Sequence, residues 1–394
     1  MPEVELPIGP QHPALKEPVS FRVLVDGERI VRLDLDVSYN HRGVEKGAEH
    51  REFTKALYLI ERICGICSHA HATNFAKGIE ALMGVEAPPR AQWIRTLVAE
   101  LERLHSHLLW LGVLAHEIGY NTMFMYTWRD RETIQDLLEE ISGNRVNYGM
   151  NRLGGVRRDI SDALRTRALE GLRGLAERAR FYAQLIREEQ TLLVRTRGVG
   201  RLPRDRAITL GAVGPTARGS AVDFDVRRDD PYAAYGEVPL QVITSDACDV
   251  FGRLEVRARE IEESIRLASY VLENLPPGEI AAKAPRTAPA GEYVSRYEAP
   301  RGELVHYIRT NGTDKADRVS VRTPTLANWL SVIEAIRGRM IADIPVVVAA
   351  IDPCLSCTSR TTFVDAGTGD RSSMEWDDLV AYGIRYYRER QGLP

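Results

Sequence analysis

Two C-x-x-C pairs stand at opposite ends of this chain: "ERICGICSHAHA" at 61–72 and "IDPCLSCTSR" at 351–360 account for four of its five cysteines. A thiolate at position i and another at i+3 can hold one metal ion, because a turn of backbone brings both sulfurs to one side, and two such pairs make a four-sulfur site. If Cys64, Cys67, Cys354 and Cys357 share a site, the fold must return its last third to its beginning. Structural zinc is one alternative, but its paired knuckles usually lie within a few tens of residues of each other in small domains, and a chain with a large core needs no such staple. Iron–sulfur clusters usually take cysteines in tighter runs, and a thioredoxin-like redox site needs only one pair. Cys248, alone in "SDACDVFGR", reads as a buried small hydrophobe.

The bulk properties exclude several classes. Lys and Arg number 52 against 55 Asp and Glu, a net charge of -3 that suggests no general attraction to nucleic acid or to an anionic membrane. The opening "MPEVELPIGPQHPALKEP" has neither a basic segment nor an apolar one of the export type, and no later stretch reaches the roughly 18 apolar residues of a spanning helix. Few cysteines and no export signal point to a reducing compartment, where thiols stay free for metal. A disulfide scaffold is not expected.

The periodicity changes twice along the chain. Residues 19–38 read as a β-hairpin, with Asp26-Gly27 as the turn and Val31, Leu33, Leu35 and Val37 alternating with charged residues. From about 53 to 275 the pattern is helical, clearest where Ile94, Leu97, Val98, Leu101, Leu104, Leu108 and Leu111 form one stripe. Further helices are expected at 131–141, 159–188 and, after a Ser245-Asp246 cap, 247–273, which together suggest a long antiparallel bundle. After "LPPGE", the stretches "EYVSRYEAPRGELVHYIRTNG" and "ADRVSVRTP" read as strands joined by turns, and "TLANWLSVIEAIRGRMI" as a helix leading to the second cysteine pair. The fold class is therefore α+β: a central bundle flanked by an N-terminal sheet region and a C-terminal mixed β region. With no repeat or linker, residues 1–360 are expected to form one interwoven domain: sheet and loop over 1–52, bundle over 53–275, strands, helix and second cysteine pair over 276–360. Residues 361–394 read as an appended hairpin and amphipathic helix.

"RICGICSHAH" and "DPCLSCTSR" together resemble the two signature motifs of the large subunit of nickel–iron hydrogenases. "GPQHPAL" and "NHRGVEKGAE" resemble the related quinone-site subunit of respiratory complex I. A chain carrying both sets is similar to the energy-converting, complex I-like hydrogenases of group 4, the formate hydrogenlyase, carbon-monoxide-linked, ferredoxin-linked and antiporter-coupled types. The resemblance runs from Gly9 to the tail.

That resemblance implies a Ni–Fe(CN)2(CO) centre and the reversible reduction of protons to H2. Cys64 and Cys354 would be terminal nickel ligands, and Cys67 and Cys357 would bridge to iron. Glu17 matches the family's proton-gate glutamate, with His12 on the same loop as a secondary relay or a structural imidazole. Arg301, in "EAPRGE", matches the guanidinium over the iron ligands, an always-charged group with five donors. Asp352 would orient Arg301 through a charge-assisted hydrogen bond. His71 would hydrogen-bond a bridging sulfur. Glu45 matches the R-G-x-E glutamate that ligates a magnesium ion, although Lys46 beside it is the complex I-like form. His69, His105 and His107 have no motif support, and the last two read as bundle residues.

Standard hydrogenases carry a His where this chain has Arg360, an exchange shared by group 4. Residues 361–394 would be an extension removed by a maturation endopeptidase once nickel-insertion proteins have loaded the metal. No iron–sulfur cluster is expected in this chain, so electrons would pass through an iron–sulfur small subunit. Other complex I-like hydrophilic and membrane subunits would hold the protein on the cytoplasmic face of the cell membrane, and no nucleic-acid partner is expected. Three other functions remain at this point: a quinone-site subunit without nickel, a sulfur-reducing group 4 relative, and a non-catalytic assembly protein with a four-cysteine zinc site.

Overall fold

A computed structural model describes residues 3–13, 15–358, 363–364, 367–369, 371–372 and 376–392. The chain opens with a three-stranded antiparallel sheet, β1 (Val4–Ile8), β2 (Ser20–Asp26) and β3 (Arg29–Asp36), in the order β1-β2-β3. The predicted hairpin is β2–β3, and Gly27 at its turn has φ 62°, a conformation glycine adopts without a Cβ penalty. Strand β1 was not expected; its Pro7 is tolerated because β1 lies on the sheet edge.

Two short helices follow, α1 (Val44–Glu49) and α2 (Phe53–Glu61), then α3 (Ser68–Met83), which begins immediately after Cys67. The bundle is built from α4 (Pro89–Ile118), α5 (Asn121–Ser142), α6 (Asp162–Glu188) and a helix over Val250–Glu273. Every member of the predicted α4 stripe is buried. So are Glu100, Glu102, Arg103, His105, Ser106 and His107 on its other faces, which makes α4 a helix enclosed on nearly all sides. Such polar groups need internal partners to lie there. Helix α5 begins ten residues before the expected start, at Asn121.

The cap of Val250–Glu273 is Asp249, whose side chain accepts from the Gly252 N–H; the Ser245 hydroxyl instead donates to Glu255 at 2.8 Å. Cys248 is only half-buried and has φ 56°, so its surroundings are a strained turn and not the core that its chemistry suggested.

Strands Gly291–Ala299, Gly302–Thr310 and Ala316–Arg322 form a second antiparallel meander that packs on α3. The following helix stops at Ile336, earlier than the sequence pattern suggested, and a further short helix, Ile344–Ala350, delivers the second cysteine pair. The tail forms short paired strands at Phe363–Val364 and Arg371–Ser372 and a helix over Trp376–Gln391; Arg360 lies outside the described residues. No helix among the described residues is long and apolar enough to cross a membrane.

Candidate metal centre

The four cysteines meet. Cys64 and Cys67 occupy the loop between α2 and α3, while Cys354 precedes and Cys357 closes a 3-10 turn over Leu355–Cys357. Cys354 Sγ is 3.3 Å from Cys64 Sγ and 2.9 Å from Cys357 Sγ, and no more than 9% of any of the four residues is exposed. The ligand atoms of Cys64, Cys354 and Cys357 lie within 4.8 Å of one another, as do those of Cys67, His71 and Cys357.

Tertiary hydrogen bonds hold the two segments together. The Arg42 guanidinium donates to the Arg62 carbonyl at 3.1 Å, the Ile63 carbonyl at 2.7 Å and the Ser356 carbonyl at 3.4 Å, tying one cysteine loop to the other. The Glu17 carboxylate accepts from the Leu355 N–H, from the Ser356 N–H at 3.1 Å and from the Ser356 hydroxyl, so it pins the turn between Cys354 and Cys357. The Cys354 N–H donates to Thr325 Oγ1 at 3.1 Å, and the Thr323 hydroxyl to the Cys357 carbonyl at 2.8 Å. On the other side, Glu102 of α4 accepts from the His69 N–H at 2.6 Å and the Ala70 N–H at 3.0 Å, occupying the N-terminus of α3.

Arg301 follows the strand Gly291–Ala299 and is buried. It donates to Asp352 Oδ1 at 2.7 Å, to the Asp352 carbonyl at 2.7 Å and to Ser106 Oγ at 3.0 Å. Asp352 has φ 58°, so the turn before Cys354 is wound to present both acceptors to one guanidinium. At the next residue, Gly302, the chain passes so close to Gly214 that a Cβ on Gly214 would sit 2.3 Å from Gly302 Cα. Only glycine allows that approach. A cavity of about 160 Å³ adjoins the thiols, with Glu17, Cys64, Trp110, Arg301, Val348 and Cys354 among its walls.

The electrostatics suit a bound cation. The hydrogen bond from Cys354, reinforced by those from Cys357 and Cys67, holds the Cys64 thiol well below its usual range, and the Ile66 and Cys67 N–H groups also point at its sulfur, at 3.2 and 3.3 Å. Cys67 and Cys357 are pushed well above theirs, chiefly because each donates to Cys354. Cys64 is therefore the sulfur that ionises most readily, and a metal bound here would displace the protons held on the others. Arg301 stays protonated despite burial, through Asp352 and the sulfurs. Burial raises Asp352 against the pull of Arg301.

Of the residues singled out in the sequence, His71 lies with its Nε2 3.8 Å from Cys357 Sγ. The Glu45 carboxylate accepts from the Val321 N–H at 2.8 Å and lies 3.7 Å from Arg318, and it is not in the ligand groups found among the described residues. His12 and Glu17 line a shallow surface depression. His69 is held by the Arg95 carbonyl at 3.0 Å and Asn151 at 3.1 Å, and burial lowers it to about 3. His105 accepts from Arg131 at 2.9 Å and His107 faces Glu260 at 2.7 Å, both within the bundle. Sequence reading assigned no role to Arg42, Glu102, Ser106, Thr325 and His306; Arg42 opens the R-G-x-E stretch, and the other four carry no local spacing signal.

With this geometry in hand, comparison with known proteins gives two family matches. Residues 42–174 match the nickel-dependent hydrogenase model, and residues 117–290 and 286–360 match that of the respiratory-chain NADH dehydrogenase 49 kDa subunit. Fold and site thus define an oxidoreductase-family chain of the type shared by hydrogenase large subunits and complex I. The chain is 41% identical to the membrane-bound hydrogenase subunit alpha of Pyrococcus furiosus, covering 92% of this chain and 89% of that one. It is 38% identical to the carbon monoxide-induced hydrogenase of Rhodospirillum rubrum, covering 90% and 99%. Among solved structures, a chain of the membrane-bound sulfane sulfur reductase, an archaeal respiratory membrane complex, superposes with a TM-score of 0.87 at 29% identity, covering 91% and 98%. This chain belongs to the complex I-like, group 4 membrane-bound hydrogenase large-subunit family.

Proposed function

We propose that the protein is the catalytic subunit of a membrane-associated, energy-converting hydrogenase that interconverts protons, electrons and H2 at a nickel–iron centre. The observation that carries this reading is the convergence of four buried cysteine sulfurs, from both ends of the chain, beside Arg301. The donor set fits: soft thiolates suit nickel and iron, and all four cysteines are buried. Cys64 and Cys354 would hold nickel terminally, and Cys67 and Cys357 would bridge to iron carrying carbonyl and cyanide. When bound, the centre supplies the redox chemistry by which protons and electrons form H2.

The protein's own groups divide the remaining work. Arg301 is fixed by Asp352 and Ser106 and keeps its charge beside the sulfurs, and it would present guanidinium donors to the anionic ligands of the iron. Glu17 would carry protons between the cavity and the surface depression that it also lines. His71 would donate to a bridging sulfur. Cys248 is the one cysteine outside the site, too few for a cluster, so electrons would come from an iron–sulfur small subunit. Glu45 would be the ligand of a magnesium ion, through the oxygen that does not accept from Val321. The segment 361–394 would be removed by an endopeptidase after nickel insertion, and a full-length mass for nickel-loaded protein would refute that.

Likeness to the sulfane sulfur reductase chain favours a second reading, reduction of sulfur compounds at the same site. A complex I-type quinone role would leave four converging thiols without a purpose. Metal analysis and infrared spectra of the purified complex decide among these. Nickel, iron, and carbonyl and cyanide stretching bands are expected, with H2 evolution from a reduced donor. Sulfide release without H2 would establish the second reading, and zinc alone an assembly role.

A further inference from the structure

His306 lies in the middle of the strand Gly302–Thr310, fully buried, where an inward imidazole has no solvent to hydrogen-bond. Its Nε2 is 3.3 Å from His71 Nδ1, with the two rings 28° from parallel. The other nitrogen of His71 is the one that faces Cys357 Sγ, 3.8 Å away, so sulfur, His71 and His306 form a line. His306 Nδ1, at the far end of that line, is buried without a hydrogen-bond partner among the described residues.

We propose that His306 is a positioning residue that fixes His71 in the tautomer protonated at Nε2, so that His71 donates to the Cys357 sulfur. Two ring nitrogens in hydrogen-bond contact share one hydrogen, which leaves two arrangements. With the hydrogen on His71 Nδ1, a neutral His71 would turn a bare Nε2 lone pair toward the sulfur, and a thiolate there would be repelled. His306 would then carry its own hydrogen on Nδ1, an orphan buried donor, the rarest kind of unpaired polar group. With the hydrogen on His306 Nε2, the donors run in one direction: His306 to His71, His71 to Cys357. The group left unmatched is then only a lone pair. Charging either ring would bury a cation with no carboxylate among the pair's hydrogen-bond partners. The second arrangement wins on each comparison. Fixing a ring's tautomer from its far nitrogen is a general way of tuning a metal site.

The inference rests on Cys357 binding metal as a thiolate, but not on hydrogen chemistry. The test therefore uses the full chain, labelled with 15N-histidine and loaded with zinc(II), a diamagnetic ion that four thiolates accept. Imidazole 15N shifts, assigned through His71→Gln and His306→Gln, are expected to show His71 and His306 both protonated at Nε2. His306→Leu should give His71 a mixture of tautomers and weaken zinc binding by about 10–100-fold. His306→Gln, whose amide N–H can replace the imidazole donor, should keep His71 protonated at Nε2 and retain most of the affinity. A wild-type His71 protonated at Nδ1, or a tautomer indifferent to His306→Leu, overturns the proposal, and the wild-type measurement stands even if the Leu variant does not fold. Absence of zinc binding through these cysteines removes the acceptor and overturns it too. If Nε2 carries the hydrogen but the native complex lacks carbonyl and cyanide bands, the imidazole relay survives and the hydrogenase reading fails.

Discussion

Glu17 has two separable tasks, and the pattern of its hydrogen bonds shows how to part them. One oxygen accepts from two backbone N–H groups of the second cysteine turn, and the other accepts from the Ser356 hydroxyl, which can reverse to accept an amide hydrogen. Glu17→Gln can therefore keep the turn while losing the ability to carry a proton. Nickel content is expected to stay at the wild-type level while H2 turnover falls about 100-fold or more. Equal turnover in the Gln variant would remove Glu17 from the proton route. Arg42 should behave in the opposite way. Its fork reaches three carbonyls on two segments, which a lysine point charge cannot span, so Arg42→Lys should lower retained nickel itself, by about tenfold on dialysis against chelator. The contrast also explains what the sequence disclosed. The four cysteines, Arg301 and Asp352 sit in short motifs whose spacing is visible in one dimension. Arg42, Ser106 and His306 act across tens to hundreds of residues, and His306 alternates along its strand like any core side chain, so only the folded chain reveals their partners.

Helix α3 shows how an element's stability and the site depend on one another. It starts directly after Cys67 with no side-chain cap of its own, so its first N–H groups are satisfied from outside, by Glu102 on α4. Glu102→Leu leaves both N–H groups buried and unmatched, which should cost about 2–5 kcal/mol in a urea titration of the metal-free chain. Glu102→Gln keeps one acceptor, and its loss should be roughly half as large. Similar midpoints for the two variants would show that the cap contributes little. A hydrophobic stripe is what made α4 readable, and every position in it is buried. The same helix also buries two glutamates, two arginines and two histidines, and periodicity gives no sign of these because it assigns polar residues to the solvent side. The hairpin β2–β3 was legible for the converse reason: it has one wet face, and its residues alternate accordingly. Edge strand β1 interrupts its pattern with Pro7 and escapes that test.

At the scale of the whole molecule, those buried polar groups on α4 join a network that lies behind the metal centre. Glu100, Asp225, Glu260 and Glu298 meet Arg103, Arg218 and Arg227, with no more than 2% of any of them exposed. Glu298 Oε1 accepts from Arg218 at 2.8 Å, Arg218 also holds Glu260 at 2.8 Å, and Arg227 links Asp225 at 2.7 Å to Glu100 at 3.1 Å. Four carboxylates against three guanidiniums leave the group one positive charge short. Burial, with Asp225 next, pushes Glu298 up to about 7, against the pull of Arg218 and Arg227. The folded chain thus binds a proton on Glu298 that the unfolded chain has released above its ordinary value of 4.5. The stability this proton contributes is fully present below that value and is lost as pH rises through about 7. Asp225, held at about 2 chiefly by Arg227 despite its burial, changes nothing in this range. His107, lowered to about 4 by burial, acts with the opposite sign below its ordinary value of 6.5, so the raw profile is a sum and the variant is needed to isolate one group. Glu298→Gln mimics the protonated acid at every pH. Its stability relative to wild type should therefore rise between pH 5 and about pH 7 and level off by pH 8, read as the difference in urea midpoint. A difference independent of pH would mean that the network carries its negative charge unprotonated. Because Glu298 lies three residues before Arg301, at the end of the strand Gly291–Ala299, the same titration should also loosen the turn that carries the guanidinium to the sulfurs. Metal retention in the native complex should then decline over the pH range in which wild-type stability falls, and stay flat in the variant.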